Sequence, residues 1–263
     1  MGNWKGKPRY DPKSFTPPLN VSRSAVEEFY QCPRCFWMRF IEGWGHVSTP
    51  GYPINTGIDG MAKAEFDIVR KLGLRHRLMP DNKWRASNHP DIDDWRNTWK
   101  GVRALFAKGN IELHGAVDDV WVQGNGKLVV VDYKATCSQS GEYTKEWLFE
   151  TRPYITRQMA IYKAIMKEMG EDMAMSGIIL YYNGESRKAS FDGVMNFSSH
   201  VIKVDPAKGD MSHPDRGVER ANNAWVKKIA GEIWDCVNLT APPPAASNCE
   251  YCDRLAVIPA KYP

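Results

Sequence analysis

No run of about 18 or more apolar residues occurs in the 263-residue chain, so a membrane-spanning helix is not expected. The opening stretch MGNWKGKPRYDPKSFTPP is basic and has no apolar core, so no secretory signal is expected, and it lacks the Ser or Thr of a myristoylation signal. There is no Gly-x-Ser-x-Gly nucleophile elbow, and QGNG lacks the helix and lysine of a phosphate loop. Internal repeats are absent, and the one biased segment is APPPAAS at 241–247. Charge of either sign is barely in excess: 35 Lys and Arg against 31 Asp and Glu leave +4, which permits a polyanionic partner without requiring one. These absences point to a soluble, intracellular, cytoplasmic protein, long enough for one domain with a substantial core.

What is present reads as alternating helix and strand. Residues 1–20 form an irregular arm, 21–240 the main domain, and 241–263 a linker and tail expected to fold back on the N-terminal helix. SAVE at 24–27 has the form of a capping box led by Ser24. Ile58, Met61, Ala62, Ile68, Val69 and Leu72 give residues 57–73 a helical stripe, and 89–106 is a second expected helix. IELHGAVDDVWV and KLVVVDYKAT, separated by QGNG, predict a hairpin. A helix over 154–170, strands over 176–184 and 196–205, and a helix over 217–238 complete an α/β fold with a small mixed sheet flanked by helices.

The chemistry starts at VVVDYKAT, residues 129–136. Residues two apart on a strand share a face, so Asp132 and Lys134 project together from an otherwise apolar run. A three-residue hairpin loop places Asp118 opposite Asp132, whereas a two-residue loop places Asp119 there. Two adjacent carboxylates raise each other's pKa, and burial adds to the cost. A hard divalent cation relieves both and prefers carboxylate and carbonyl oxygen. The bland alternative is a buried ion pair.

GAVDD at 115–119, VVDYKAT at 130–136 and QMAIY at 158–162, in this order, resemble the RecB-like branch of the PD-(D/E)XK nucleases. The resemblance implies a restriction-endonuclease-like core and a metal-dependent deoxyribonuclease, expected to be an exonuclease, that hydrolyses phosphodiester bonds of single-stranded DNA or duplex ends. It selects Asp118 over Asp119. It implies that Asp118, Asp132 and the Tyr133 carbonyl hold Mg²⁺ or Mn²⁺, that Lys134 positions water, and that Gln158 and Tyr162 orient Lys134 and contact phosphate. The sequence departs from the family at Met61, where a metal-binding histidine is usual. Glu65, one turn further on, is the expected substitute, and Asp59 a weaker one. The second reading of the chain is therefore an inactive, nuclease-derived DNA-binding or scaffold subunit with a structural metal.

CPRC at 32–35 and CEYC at 249–252 supply Cys32, Cys35, Cys249 and Cys252, and two Cys-x-x-Cys pairs predict a four-thiolate centre. SRSAVEEFYQCPRCFWM is similar to the entry segment of the iron–sulfur members of this branch, found in CRISPR adaptation and in AddB-type helicase–nucleases. That likeness favours a [4Fe–4S] cluster over Zn²⁺, and it implies a separate helicase or CRISPR-adaptation partner. This chain has two early and two late cysteines, where the family generally has one and three. Cys137 and Cys236 read as buried structural thiols. RKLGLRHR at 70–77 reads as a solvated basic face, with a DNA backbone track as its functional alternative. Trp95, Trp99 and Trp225 read as core, and His114 as an ordinary core or surface residue.

Overall fold

The computed structural model describes residues 4–45, 52–137, 143–185 and 193–254; the first three residues of the expected arm and residues 255–263 of the expected tail lie outside them. In chain order, β1 (Trp4–Lys5) and β2 (Leu19–Ser22) precede two short helices, α1 (Arg23–Gln31) and α2 (Pro33–Ile41). Next come β3 (Trp44–Gly45), α3 (Pro53–Leu72), β4 (Arg85–Ala86), α4 (Ile92–Trp95), β5 (Val102–Phe106), β6 (Ile111–Gly115), β7 (Asp119–Val122) and β8 (Leu128–Thr136). The remaining elements are α5 (Lys145–Thr151), α6 (Pro153–Glu168), β9 (Gly177–Gly184), β10 (Phe197–Val204), β11 (Asp210–His213), β12 (Gly217–Arg220) and α7 (Asn223–Val237).

The central sheet has the order β10-β9-β8-β7-β4, with β8 and β9 parallel and the other neighbours antiparallel. Its central strand β8 is buried on both faces from Leu128 to Tyr133, which is why it reads as a nearly continuous apolar run. Leu128 and Val130 join Ile179 and Tyr181 in the core shared with α1, α6 and α7. Val129, Val131 and Tyr133 face the other way, onto Ala62 and Phe66 of α3. A second sheet, β2-β6-β5, continues the main core.

Several local expectations are corrected. Ser22, not Ser24, caps α1, its Oγ accepting from the Ala25 N–H at 3.2 Å. Glu27 is not part of a capping box; it takes two hydrogen bonds from Arg157, at 2.8 and 2.6 Å. The 89–106 helix is one turn only: the Asn97 side chain accepts from the Trp99 and Lys100 N–H groups, and Gly101 turns the chain at φ +61° into β5. A Cβ on Gly101 would lie 2.5 Å from the Gly115 carbonyl, so β5 and β6 meet there only because neither strand carries bulk at that point.

The expected helix over 217–238 starts later. Gly217–Arg220 pairs with β11, and Asn222 caps α7 by accepting from the Trp225 N–H at 2.9 Å. α3 buries Ile58, Ala62, Phe66 and Arg70, leaving Met61, Ile68 and Leu72 exposed. Trp99 is 89% exposed and Cys137 is exposed, contrary to expectation; Trp95, Trp225 and Cys236 are buried. The basic run 70–77 is not an open face at its start, because Arg70 is buried and paired with Asp67 and Asp119.

Candidate active site and thiolate centre

The β7–β8 ladder runs from Val122 opposite Leu128 to Asp119 opposite Val131. Carried one step further, this register sets Asp118 opposite Asp132. The Gln123 N–H donates to the Lys127 carbonyl at 2.9 Å across Gly124–Gly126, the three-residue loop that fixes this alignment. Asp118 stands on the face of Asp132 and Lys134. Asp119 points through the sheet and is fully buried with Arg70, the Val120 N–H and the Tyr133 hydroxyl, which donates at 3.1 Å.

On the Asp132 face the side chains interlock. The Tyr133 N–H donates to Asp118 Oδ2 at 2.8 Å. Lys134 Nζ lies 2.7 Å from Asp132 Oδ2, and Gln158 Nε2 donates to Asp132 Oδ1 at 2.7 Å. The Gln158 carbonyl oxygen in turn accepts from Lys134 Nζ at 3.5 Å. Asp132 Oδ2 is buried and receives no well-aligned hydrogen bond among the described residues, its ion pair with Lys134 aside. Burial first, and the Asp132 charge second, push the Asp118 pKa up to about 7, against the pull of Lys134 and the Tyr133 N–H. Burial opposes the charge on Lys134, but Asp132 and Asp118 together hold its pKa above the ordinary lysine value. The site thus has two carboxylates with oxygens to spare, a backbone carbonyl on the same strand and one fixed ammonium. That donor set fits a hard, oxygen-seeking divalent cation.

Gln158 and Tyr162 reach the site from one face of α6, a helix buried along most of its length. Gly115 makes room for Tyr162: a Cβ there would lie 2.8 Å from the tyrosine ring. Burial raises the Tyr162 pKa, and neighbouring Arg23 opposes the shift. Arg23 Nε is buried and has no hydrogen-bond partner among the described residues. These groups line a cleft of about 620 Å³ that also takes in Asp59, Arg152 and Tyr154.

The structure does not bring Glu65 to this cleft. Its carboxylate is hydrogen-bonded to His76 Nε2 at 2.8 Å, whereas Asp59 lies on the cleft wall and pairs with Lys63 at 2.9 Å. Lys63 also approaches Asp118 to 3.8 Å. Met61 is 65% exposed, and His114 lies on β6 outside the cleft lining. Arg23, Lys63 and Arg152 carry no motif that marks them in the sequence; each is brought in by the packing of α1, α3 or the turn before α6.

The second cluster lies where α1 meets α2. Cys32 ends α1, Cys35 sits in the first turn of α2, and Cys249 and Cys252 come back from the C-terminal segment. Cys35 Sγ is 3.5 Å from both Cys249 and Cys252, Cys32 is 3.8 Å from Cys252, and all four sulfurs lie within 4.8 Å of one another. Contact with Cys35 lowers the Cys32 pKa to about 4 against burial, with help from the Ala246 N–H. Near the end of the 241–247 segment, Ala246 is buried against the thiols.

Among the described residues no helix is long and apolar enough to cross a membrane. No curated protein matches the chain. The crystal structure of SSO0001 aligns over 95% of this chain and 91% of that one at 14% identity, with a TM-score of 0.36. The sequence model of the PD-(D/E)XK nuclease superfamily matches residues 62–257. That span takes in Asp118, Asp132, Lys134, Gln158 and Tyr162, and it covers most of the chain: this protein is a member of the PD-(D/E)XK nuclease superfamily.

Proposed function

We infer that the chain is a divalent-metal-dependent DNA nuclease that hydrolyses phosphodiester bonds, acting from strand ends. The observation that carries this reading is the convergence of Asp118, Asp132, Lys134 and Gln158 on one face of the central sheet. Asp118, Asp132 and the Tyr133 carbonyl would hold Mg²⁺ or Mn²⁺. Such an ion, when bound, acidifies a coordinated water and offsets charge growing on the phosphate. Lys134 holds the attacking water by a charged N–H donor and stabilises the negative charge of the transition state. Gln158 holds Asp132 and lies beside Lys134, which keeps the ammonium and the carboxylate together. Tyr162 and Arg23 line the cleft and would offer a hydroxyl and a positive charge to the phosphate. Asp59, on the cleft wall, takes the part that the sequence suggested for Glu65. A helicase or CRISPR-adaptation partner, if the resemblance extends so far, is a separate chain, and co-purification tests for it.

Lys134→Ala is expected to abolish cleavage of labelled single- and double-stranded DNA with Mg²⁺ or Mn²⁺ while leaving folding and DNA binding intact. Full cleavage by this variant excludes the assignment. One observation favours the non-catalytic reading: no histidine lines the cleft among the described residues. Wild-type protein that binds DNA but cleaves neither substrate with either metal establishes that reading instead.

A further inference from the structure

The four cysteine sulfurs stand too close together for the iron–sulfur cluster that the family resemblance implies. In a [4Fe–4S] cubane each thiolate binds its own iron at a separate corner, which sets the thiolate sulfurs about 6 Å apart. A single tetrahedral zinc, with Zn–S bonds of about 2.3 Å, sets its four sulfurs at the corners of a tetrahedron with edges of about 3.8 Å. Cys35 lies 3.5 Å from Cys249 and from Cys252, Cys32 lies 3.8 Å from Cys252, and no pair exceeds 4.8 Å.

Opening this arrangement to cubane dimensions means moving the sulfurs apart by an ångström or more at every pair. The backbone on both sides is held by local hydrogen bonds, so such a separation has to come from side-chain rotation alone. Cys32 is the junction of two helices, its N–H bonded to the Glu28 carbonyl at 2.9 Å and its carbonyl to the Phe36 N–H at 3.2 Å. Across from it, the Cys249 N–H donates to the Ala246 carbonyl at 3.1 Å, and the Cys249 carbonyl accepts from Asp253 at 3.1 Å. The Ala246 N–H also points at Cys32 Sγ, at 3.5 Å, as backbone amides do toward metal-bound thiolates. Cys32, Cys35 and Ala246 are all buried, so the two halves are already in packing contact.

We propose that Cys32, Cys35, Cys249 and Cys252 form a closed, redox-silent site for one tetrahedral ion of the zinc class. Its role is mechanical. It joins the α1–α2 junction to the C-terminal segment across 214 to 220 residues of sequence, and α1 begins at Arg23, on the wall of the cleft. The ion therefore ties the helix that begins at Arg23 to the C-terminal segment, without taking part in any electron transfer. The proposal does not rest on the nuclease reading.

The test uses the full chain, purified anaerobically from cells supplied with both iron and zinc. The expected result is a colourless protein with one zinc per chain and no acid-labile sulfide. Metal-free protein given Co²⁺ alone should show the intense visible d–d bands of a tetrahedral thiolate site. Cys252→Ser, at the less buried end, should lose the zinc and the cobalt spectrum. A brown protein with about four irons and matching sulfide per chain overturns the proposal. So does protein that holds no metal and either titrates as four free thiols or shows disulfides. If Cys252→Ser does not fold, the wild-type metal content and cobalt spectrum decide the matter alone.

Discussion

Asp118 makes a sharp prediction for the metal-free protein, because its environment works against its own charge. Burial and the Asp132 carboxylate raise its pKa from 3.8 to about 7. Between those values the folded chain holds a proton that the unfolded chain has released, so the folded state binds more protons and stability falls as pH rises. Three pKa units at 1.36 kcal/mol each give a penalty on the order of 4 kcal/mol above pH 7. With the side chain 24% exposed, that figure is an upper bound. Urea unfolding in EDTA at pH 5 and pH 8 should show wild type losing about 2–3 kcal/mol more than Asp118→Asn over that interval, since the amide cannot ionise. Other titrating groups, the six histidines included, cancel in the difference between the two proteins. Saturating Mg²⁺ should reverse the trend for wild type alone, because a cation takes the place of the shared proton. Parallel pH dependences for the two proteins, with and without Mg²⁺, would refute the claim that the two aspartates crowd each other and that a cation relieves them.

Three other outcomes follow from the geometry. Glu27→Ala leaves Arg157, whose side chain is 2% exposed, without its bidentate partner, and chemical denaturation should show a loss of about 3–5 kcal/mol. Burial raises the Glu27 pKa but Arg157 outweighs it, so the net pKa is depressed; the contribution is present above pH 4.5 and is lost as pH falls through the lower folded value. Gly115→Ala drives a methyl group toward the Tyr162 ring, and cleavage should fall at least about tenfold; the ring is also part of the main core, so the melting temperature should fall as well. Asp59→Asn should raise the Mg²⁺ concentration needed for half-maximal cleavage by about tenfold, whereas Glu65→Gln should leave it unchanged; the reverse pattern would return the role to Glu65.

How much of this was legible in the sequence depended on whether the cause was local. Asp132 and Lys134 could be read as facing one way because a strand has a period of two, whereas the turn left Asp118 and Asp119 both open opposite Asp132 until the resemblance to the nuclease motif chose Asp118, as the register shows. Gln158 and Tyr162 could be paired by their spacing of four on α6. The helix expected over 89–106 failed for an equally physical reason. Trp95, Trp99 and Val102 have helical spacing, but the turn at Asn97 and the close approach of Gly101 to Gly115 are tertiary facts, and only the partner strand β6 makes Val102–Phe106 extended.

The same distinction explains Glu65 and Asp59. Both lie on α3, separated by six residues, and a stripe predicted with Met61, Ile68 and Leu72 inside the core turns the helix so that Glu65 seems to look toward the sheet. The stripe that is buried, Ile58, Ala62, Phe66 and Arg70, is rotated from it because Arg70 is drawn in by Asp119. A buried guanidinium counted as polar thus misaligned the whole helix. Since Asp119 is the acidic residue that the hairpin register rejects from the cleft, the two readings are linked. The step that sends Asp118 toward Asp132 also sends Asp119 toward Arg70, and so it fixes which carboxylate of α3 faces the cleft.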